Sequence, residues 1–204
     1  MQKELEASIL GVNKNQIRKK LLVLGATLKK KEGLMRRRNF SLPKEKDIAG
    51  TWLRVRDEGD KITLSFKRCS NKQKINTLEE LCLQIDNFDI ACEFLLSIGA
   101  KDRSYQETKR ELWLYRGAEI TIDTWPGMKP FIEVEGKSEK LIRSIIEELR
   151  FDYTKEAVFG SADIKINKEL GIPLDIINNH TPQITFKRPL KKYEANKNSR
   201  RRVR

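Results

Sequence analysis

The sequence predicts an α+β fold in which eight antiparallel strands close into a β-tunnel, with the helices packed outside it. Three observations lead to this prediction. The chain contains two related halves, its strands place charged residues on one face, and its helices have apolar sides able to cover the opposite face. At 204 residues, the chain is long enough to bury one substantial core.

The two halves are related by a gapless offset of 74 residues. Leu21 begins a segment that reads Leu-Leu-Val-Leu-Gly-Ala, and Leu95 begins a segment that reads Leu-Leu-Ser-Ile-Gly-Ala. A strand bearing Glu precedes each segment and a strand bearing Arg follows it, with Arg36 corresponding to Arg110. Self-similarity at a fixed period is typical of a duplicated unit. Each predicted unit is β-α-β-β-β.

In the first half, a strand at about Glu4–Leu10 leads into a helix that Asn13 caps and Gly25 ends. The remaining strands of this half are expected near Leu34–Phe40, Thr51–Arg56 and Lys61–Arg68. The last two strands form a hairpin, because the residues at 57–60 read Asp-Glu-Gly-Asp, which is typical of a tight turn.

In the second half, a strand at about Leu78–Ile85 precedes a helix from about Asp89 to Ile98. The other strands are expected near Lys109–Tyr115, Glu119–Asp123 and Phe131–Glu135. Two more helices are expected over Ser138–Arg150 and Ser161–Leu170.

These elements predict a single domain over residues 1–186. Its halves cover about residues 3–77 and 78–157, and a helical and loop extension follows at 158–186. Residues 187–204 carry +8 of the formal net charge of +13 and lack apolar periodicity, so we expect a disordered tail. A basic tail of this kind can contact nucleic acid, but a solvated tail is the favoured interpretation.

Composition excludes several classes of function. No apolar stretch is long enough to cross a membrane. The 3 cysteines lack metal-site spacing, so we interpret them as reduced packing thiols of a cytoplasmic protein. His180 is the only histidine, which excludes a His-ligated metal or a Ser-His-Asp triad as the catalytic group. A monomer and a homodimer both remain open.

The charged residues of the strands are segregated by sign. Glu4, Glu6 and Ser8 share one strand face, whereas Arg54 and Arg56 share a face on another strand. On a single strand, a charged face in water is the more common explanation. The segregation instead favours a closed sheet whose charged face points inward, where each charge must be paired, hydrated or bound to a ligand. Such a lining suits a polyanion that carries a divalent metal ion.

The ordered set of strand motifs resembles the CYTH superfamily, the triphosphate tunnel metalloenzymes, over about residues 3–157. That superfamily includes thiamine triphosphatases, inorganic triphosphatases and class IV adenylyl cyclases. The motifs that carry the resemblance are Glu4-Leu5-Glu6-Ala7-Ser8, Arg54-Val55-Arg56, Lys67, Arg110-Glu111-Leu112-Trp113, Asp123 and Glu133-Val134-Glu135.

The resemblance implies a metal-dependent phosphohydrolase acting on tripolyphosphate, thiamine triphosphate or a nucleoside triphosphate. The first alternative is a class IV adenylyl cyclase, which converts ATP to cyclic AMP and pyrophosphate. The second is a non-catalytic module that binds polyphosphate or RNA. The hydrolase and the cyclase use the same cationic cradle, so the sequence separates them poorly, whereas Ser8 and the basic tail favour the binding module.

Each candidate site residue has an expected role. The phosphate oxygens would be bound by Arg37, Arg54, Arg56, Lys67 and Arg110. Mg²⁺ or Mn²⁺ would be bound by oxygen ligands from Glu4, Glu6, Asp123, Glu133 and Glu135. Catalysis is expected at Glu4, Glu6 and Ser8, and Glu80 is expected to balance charge inside the tunnel. Asp123 has two further interpretations, a positioning residue for Arg side chains and a charge-balancing residue.

Two positions remain open at this stage. The superfamily's opening signature is Glu-x-Glu-x-Lys, and this chain has Ser8 in place of the Lys. Serine donates one hydrogen bond but carries no charge, which places the substrate preference or catalysis itself in doubt. Among Arg36, Arg37 and Arg38, the internal repeat selects Arg36, whereas the superfamily's spacing from Arg to an aromatic residue selects Arg37. We favour Arg37.

Overall fold

The computed structural model describes residues 1–46, 48–69, 75 and 78–194. It contains one large, mainly antiparallel sheet and several helices, as expected for an α+β protein. The strands are β1 (Gln2–Glu4), β2 (Glu6–Ile9), β3 (Thr27–Ser41), β4 (Thr51–Asp57), β5 (Ile62–Cys69), β6 (Leu78–Ile85), β7 (Lys101–Tyr115), β8 (Ala118–Thr124), β9 (Phe131–Glu135) and β10 (Gln183–Ile184). The α-helices are α1 (Lys14–Val23), α2 (Phe88–Ser97), α3 (Glu139–Glu148), α4 (Tyr153–Glu156), α5 (Ala162–Leu170) and α6 (Leu174–Asn179).

The sheet follows the order β1-β6-β5-β4-β3-β7-β8-β9-β2, and β10 pairs in parallel with β7. The prediction of eight strands in a sheet closed by hydrogen bonds was wrong on both points. Within the described residues the sheet has ten strands, and its hydrogen-bonded path is open between β1 and β2. The two additional strands arise because the predicted first strand divides at Leu5 and because the short strand β10 joins β7. Residues before Leu5 pair with β6, whereas residues after it pair with β9.

The internal repeat is visible in the elements themselves. Helix α2 begins and ends 74 residues after α1, and β7 begins and ends 74 residues after β3. The strands β3 and β7 are 15 residues each and pair with one another along most of their length. The centre of the sheet is therefore formed by equivalent strands of the two halves.

The main hydrophobic core lies on the outer face of the sheet. Ala7 and Ile9 of β2 pack there, and the side chain of Ile145 on α3 is completely buried against the same cluster. Since side chains alternate along a strand, burial of Ala7 and Ile9 directs Ser8 to the opposite face. The same alternation holds in β8 and β9, whose outward residues in this core are Ile120, Ile122, Ile132 and Val134.

The C-terminal extension packs over one end of the sheet. The predicted helix Ser161–Leu170 is present as α5, and Gly171 ends it in the left-handed conformation. Beyond α6, the backbone N–H of Leu190 donates to Pro126, and that of Tyr193 donates to Leu170. The expected tail thus contacts the domain through residue 193, and residues 195–204 lie outside the described part of the chain. No described helix combines the length and the apolarity needed to cross a membrane.

Gly127 provides a test of this C-terminal packing. Its φ is +87°, and a Cβ atom there would lie 2.1 Å from the carbonyl oxygen of Leu190. We expect Gly127→Ala to lower the free energy of unfolding by clearly more than Gly59→Ala. Gly59 has a similar φ of +88° and open space around it, so its substitution costs only the roughly 1–2 kcal/mol of backbone strain. Urea unfolding of both variants measures the difference, and equal losses would contradict this packing.

Candidate functional site

The inner face of the sheet surrounds a cavity of about 840 Å³. The side chains of all five predicted phosphate-binding residues line it, namely Arg37, Arg54, Arg56, Lys67 and Arg110. Five predicted acidic residues line it as well, namely Glu4, Glu6, Glu80, Glu133 and Glu135. Two predicted residues, Ser8 and Asp123, are buried behind this lining. The strand alternation therefore brings charges of both signs into one enclosed space.

The structure distinguishes the three consecutive arginines of β3. Arg37 is 7% exposed and lines the cavity. Arg36 lies on the outer face, where its Nε donates to Asp57 and its guanidinium lies 4.4 Å from the centre of the Phe88 ring. Arg38 also points outward and pairs with Asp102 at 2.5 Å. The spacing to an aromatic residue therefore selected the inward arginine, whereas the internal repeat did not.

Arg37 is the cation with the least compensation in this cavity. Its guanidinium donates to the hydroxyl of Thr108 and stacks 5.0 Å from the centre of the Trp125 ring. It forms no ion pair with any described carboxylate, and its Nε–H lacks a hydrogen-bond partner among the described residues. Burial, followed by repulsion from Arg54 and Arg56, lowers the pKa of Arg37 well below its usual value.

A second cluster joins β1 with β4, β5 and β6. The ammonium of Lys67 lies 2.9 Å from Glu4 and 3.2 Å from Glu80, and Arg54 lies 3.1 Å from Glu80. Burial and a hydrogen bond with Glu80 raise the pKa of Glu4 to about 8. The pKa of Glu80 is lowered, because burial is outweighed by the hydrogen bond from Glu4 and the charge of Arg54. Near neutral pH, the pair therefore carries one proton between its two carboxyl groups.

Glu58, which follows β4 in the tight turn, was not predicted as a site residue. Its carboxylate points back into the cavity and lies 2.5 Å from Arg56 and 3.7 Å from Lys61. Burial and the neighbouring Arg54 lower the pKa of Arg56 to about 10. Glu58 was assigned only to the turn, and the alternation that places Arg54 and Arg56 inward would also place it inward.

A third cluster forms around Arg110. Its guanidinium donates to both oxygens of Asp123, at 2.7 and 3.0 Å, and to Glu133 at 2.7 Å. Asp123 is completely buried and also accepts from the hydroxyl of Thr121 at 2.6 Å. The carboxylate of Asp123 thus orients Arg110, which is one of the roles predicted for Asp123.

Three carboxylates lie beside each other on adjacent strands. Glu6 of β2 pairs in register with Glu135 of β9, which in turn pairs with Glu119 of β8. Burial, followed by repulsion from Glu6 and Glu119, raises the pKa of Glu135 to about 7. Across residues 1–46, 48–69, 75 and 78–194, no three His, Cys, Asp or Glu side chains are arranged to hold a metal ion by themselves. Mg²⁺ commonly uses only one or two carboxylates, with waters and phosphate oxygens as its other ligands.

Lys165 is the second residue that the sequence analysis missed. It is 3% exposed and reaches the cavity from α5, where its ammonium pairs with Glu133 and lies 3.6 Å from Glu6. Burial lowers the pKa of Lys165, but Glu133 and Glu6 outweigh burial and hold that pKa above its usual value. On its helix, Lys165 lies between Ile164 and Ile166, and only the tertiary structure shows that it faces the carboxylates.

Comparisons with known proteins add information on the fold. No protein-family model and no curated protein matches this sequence. Among solved structures, the chain is similar to the PH1012 protein from Pyrococcus horikoshii OT3, with a TM-score of 0.66 and 20% identity, over 79% of this chain and 98% of that one.

Two further solved structures are similar over most of their length. A Vibrio parahaemolyticus protein described as a candidate adenylate cyclase has a TM-score of 0.68 and 13% identity, over 80% of this chain and 98% of that one. The HpAC1 protein from Hippeastrum, described as having a dominant triphosphatase activity, has a TM-score of 0.59 and 17% identity, over 84% of this chain and 99% of that one. At these identities, the likeness shows a shared fold.

The shared proton predicts how stability depends on pH. The folded-state pKa of Glu4 is raised from 4.5 to about 8, so its contribution to stability is present below pH 4.5 and is lost as the pH rises toward 8. Glu4→Gln mimics the protonated form. We therefore expect the melting temperature of Glu4→Gln to match that of the unsubstituted protein near pH 4.5 and to exceed it increasingly up to about pH 8. Thermal unfolding in EDTA across this range is the measurement, and a constant difference would contradict the assignment.

The uncompensated charge of Arg37 predicts a stabilising substitution. Arg37→Met removes a buried cation and retains most of its apolar volume, so we expect the free energy of unfolding to rise by about 1–3 kcal/mol. The matched control is Arg36→Met, which removes an outer ion pair and a ring contact and lowers the same quantity by up to about 1 kcal/mol. Urea unfolding compares the two, and a destabilised Arg37→Met protein would show that its charge is compensated.

Proposed function

We propose that this protein is a metal-dependent phosphohydrolase that binds a triphosphate inside a tunnel formed by the sheet. In this proposal, the chain itself completes the tunnel wall, because β1 and β2 at the two ends of the path are separated only by Leu5. The single observation that carries the proposal is Arg37, a buried cation with no carboxylate partner among the described residues, surrounded by further cations in one cavity. A polyanion supplies the negative charge that this arrangement lacks.

The other cations would bind phosphate oxygens by exchanging their present partners. Arg54 and Lys67 are paired with Glu80, and Arg56 is paired with Glu58. Each carboxylate occupies the place that a phosphate oxygen would take. Arginine suits this exchange because its planar guanidinium can donate two parallel hydrogen bonds to a phosphate. Arg110 would remain fixed by Asp123, to which its Nε and Nη2 both donate, and would exchange its contact with Glu133 for one with a phosphate oxygen.

The carboxylates of Glu6 and Glu135 would hold Mg²⁺ or Mn²⁺, with Glu4 and Glu133 as neighbouring ligands. The fit rests on the register that places Glu6, Glu135 and Glu119 side by side on adjacent strands, where Glu135 forms no ion pair with any described residue. Oxygen donors of this kind suit hard divalent ions. When bound, such an ion supplies Lewis-acid neutralisation of phosphate charge. We leave Asp123 out of this set because it is completely buried and paired with Arg110.

One assay separates this function from its alternatives. The pure protein is incubated with Mg²⁺ or Mn²⁺ and tripolyphosphate, thiamine triphosphate or ATP, and phosphate and cyclic AMP are both measured. We expect phosphate release from at least one substrate, abolished by EDTA. Cyclic AMP together with pyrophosphate would indicate an adenylyl cyclase instead, and tight binding without either product would indicate a binding module.

The Arg37→Met variant tests the role of Arg37 in the same assay. Loss of a charged hydrogen bond to phosphate costs about 2–3 kcal/mol, so we expect kcat/KM to fall about 100-fold although the protein is more stable. Arg36→Met should retain the activity of the unsubstituted protein, since Arg36 lies on the outer face. Equal losses in the two variants would contradict the proposed role of the inward arginine.

A further inference from the structure

Ser8 of β2 is a buried residue on the cavity side of the sheet. Ser8 is opposite Glu133 in the pairing of β2 with β9, and its side chain points to the cavity side of the sheet. It is 1% exposed, and its Oγ has no hydrogen-bond partner among the described residues. A buried hydroxyl without a partner is uncommon and calls for an explanation.

The same position anchors the C-terminal segment to the sheet. Ser8 and Val158 exchange two backbone hydrogen bonds, each of 2.9 Å. Helix α5 begins soon after Val158, at Ala162, so this anchor ties the segment that precedes the helix to β2. Lys165 of α5 then extends its ammonium to Glu133, which is the register partner of Ser8.

We propose that Lys165 supplies the ammonium group of this end of the cavity, in the place that a lysine at strand position 8 would fill. Ser8 and Lys165 have Glu133 as a common neighbour, and in this proposal the small side chain of Ser8 leaves room for the ammonium. Helix α5 is then part of the anion-binding site, in addition to packing over the end of the sheet. The inference rests on the proposed function, since it concerns the cationic side of the same cavity.

The local charges explain why this end of the cavity holds a single ammonium. Glu6 and Glu133 face Lys165, and Arg110 is already bonded to Asp123 and Glu133. Without Lys165, Glu6 would lose the cation nearest to it, whereas a second lysine at position 8 would place two ammonium groups on Glu133. Two buried ammonium groups beside the same carboxylate repel each other. A lysine at position 8 should therefore be able to replace Lys165, whereas lysines at both positions should be unfavourable.

A double-mutant cycle tests this exclusion. The variants are Lys165→Met, Ser8→Lys and the combination of both, and the readouts are tripolyphosphate binding by calorimetry without metal and the melting temperature. We expect Lys165→Met to weaken binding about tenfold, because one charged contact is lost. The combination should return to within about threefold of the unsubstituted protein. Ser8→Lys alone should lower the melting temperature without tighter binding.

The control is Lys168→Met on the exposed side of α5, which should leave binding and melting unchanged. If the combination binds as weakly as Lys165→Met, or if Ser8→Lys alone is fully tolerated, the inference is overturned. If Lys165 only holds α5 in place, the combination should bind as weakly as Lys165→Met, because a lysine at position 8 cannot hold the helix. Hydrolysis is measured separately. If tripolyphosphate binds and the combined variant recovers binding, but no hydrolysis is detected, only the proposed function fails. If tripolyphosphate does not bind, both the proposed function and this inference are overturned.

Discussion

The structure depends on the compensation of inward-facing charge within the cavity itself. The outer face of the sheet is occupied by the hydrophobic core, where residues such as Ile120 and Ile132 are completely buried. Alternation along these strands then directs the residues between them, such as Glu133, inward. Because an isolated buried charge is very costly, each inward cation needs a carboxylate or a ligand nearby. Asp123, Glu80 and Glu58 meet this need for Arg110, Arg54 and Arg56 respectively.

The inward-facing cations differ in how firmly a carboxylate partner holds them. The two oxygens of Asp123 hold Arg110 in a fixed orientation. Glu58, by contrast, reaches the cavity from a turn, where the backbone is more easily displaced. Arg37 has no carboxylate partner in the described structure. Under the proposed function, the bound triphosphate would supply the negative charge that the protein does not place beside Arg37.

The sequence allowed prediction of those features that follow from local periodicity. Alternation identified the inward faces of the strands, and the offset between the halves anticipated the correspondence of α1 with α2 and of β3 with β7. The division at Leu5 and the short strand β10 were not predicted, because both depend on which strands become neighbours. Lys165 was missed for the same reason. Nothing in its own helix distinguishes it from Lys168, and only the bridge from Val158 to β2 aligns it with Glu133.

The division of the first strand also changes how its two glutamates are understood. In sequence they form one Glu-x-Glu motif, which suggests a single pair acting together. In the structure, Glu4 on β1 belongs to the cluster of Lys67 and Glu80, whereas Glu6 on β2 faces Lys165 and Glu135. The first predicted strand thus contributes one glutamate to each of two separate charge clusters of the cavity. A change at Leu5 that altered the strand direction would disturb both clusters at once, so assembly of the site depends on the path of the chain through this one residue.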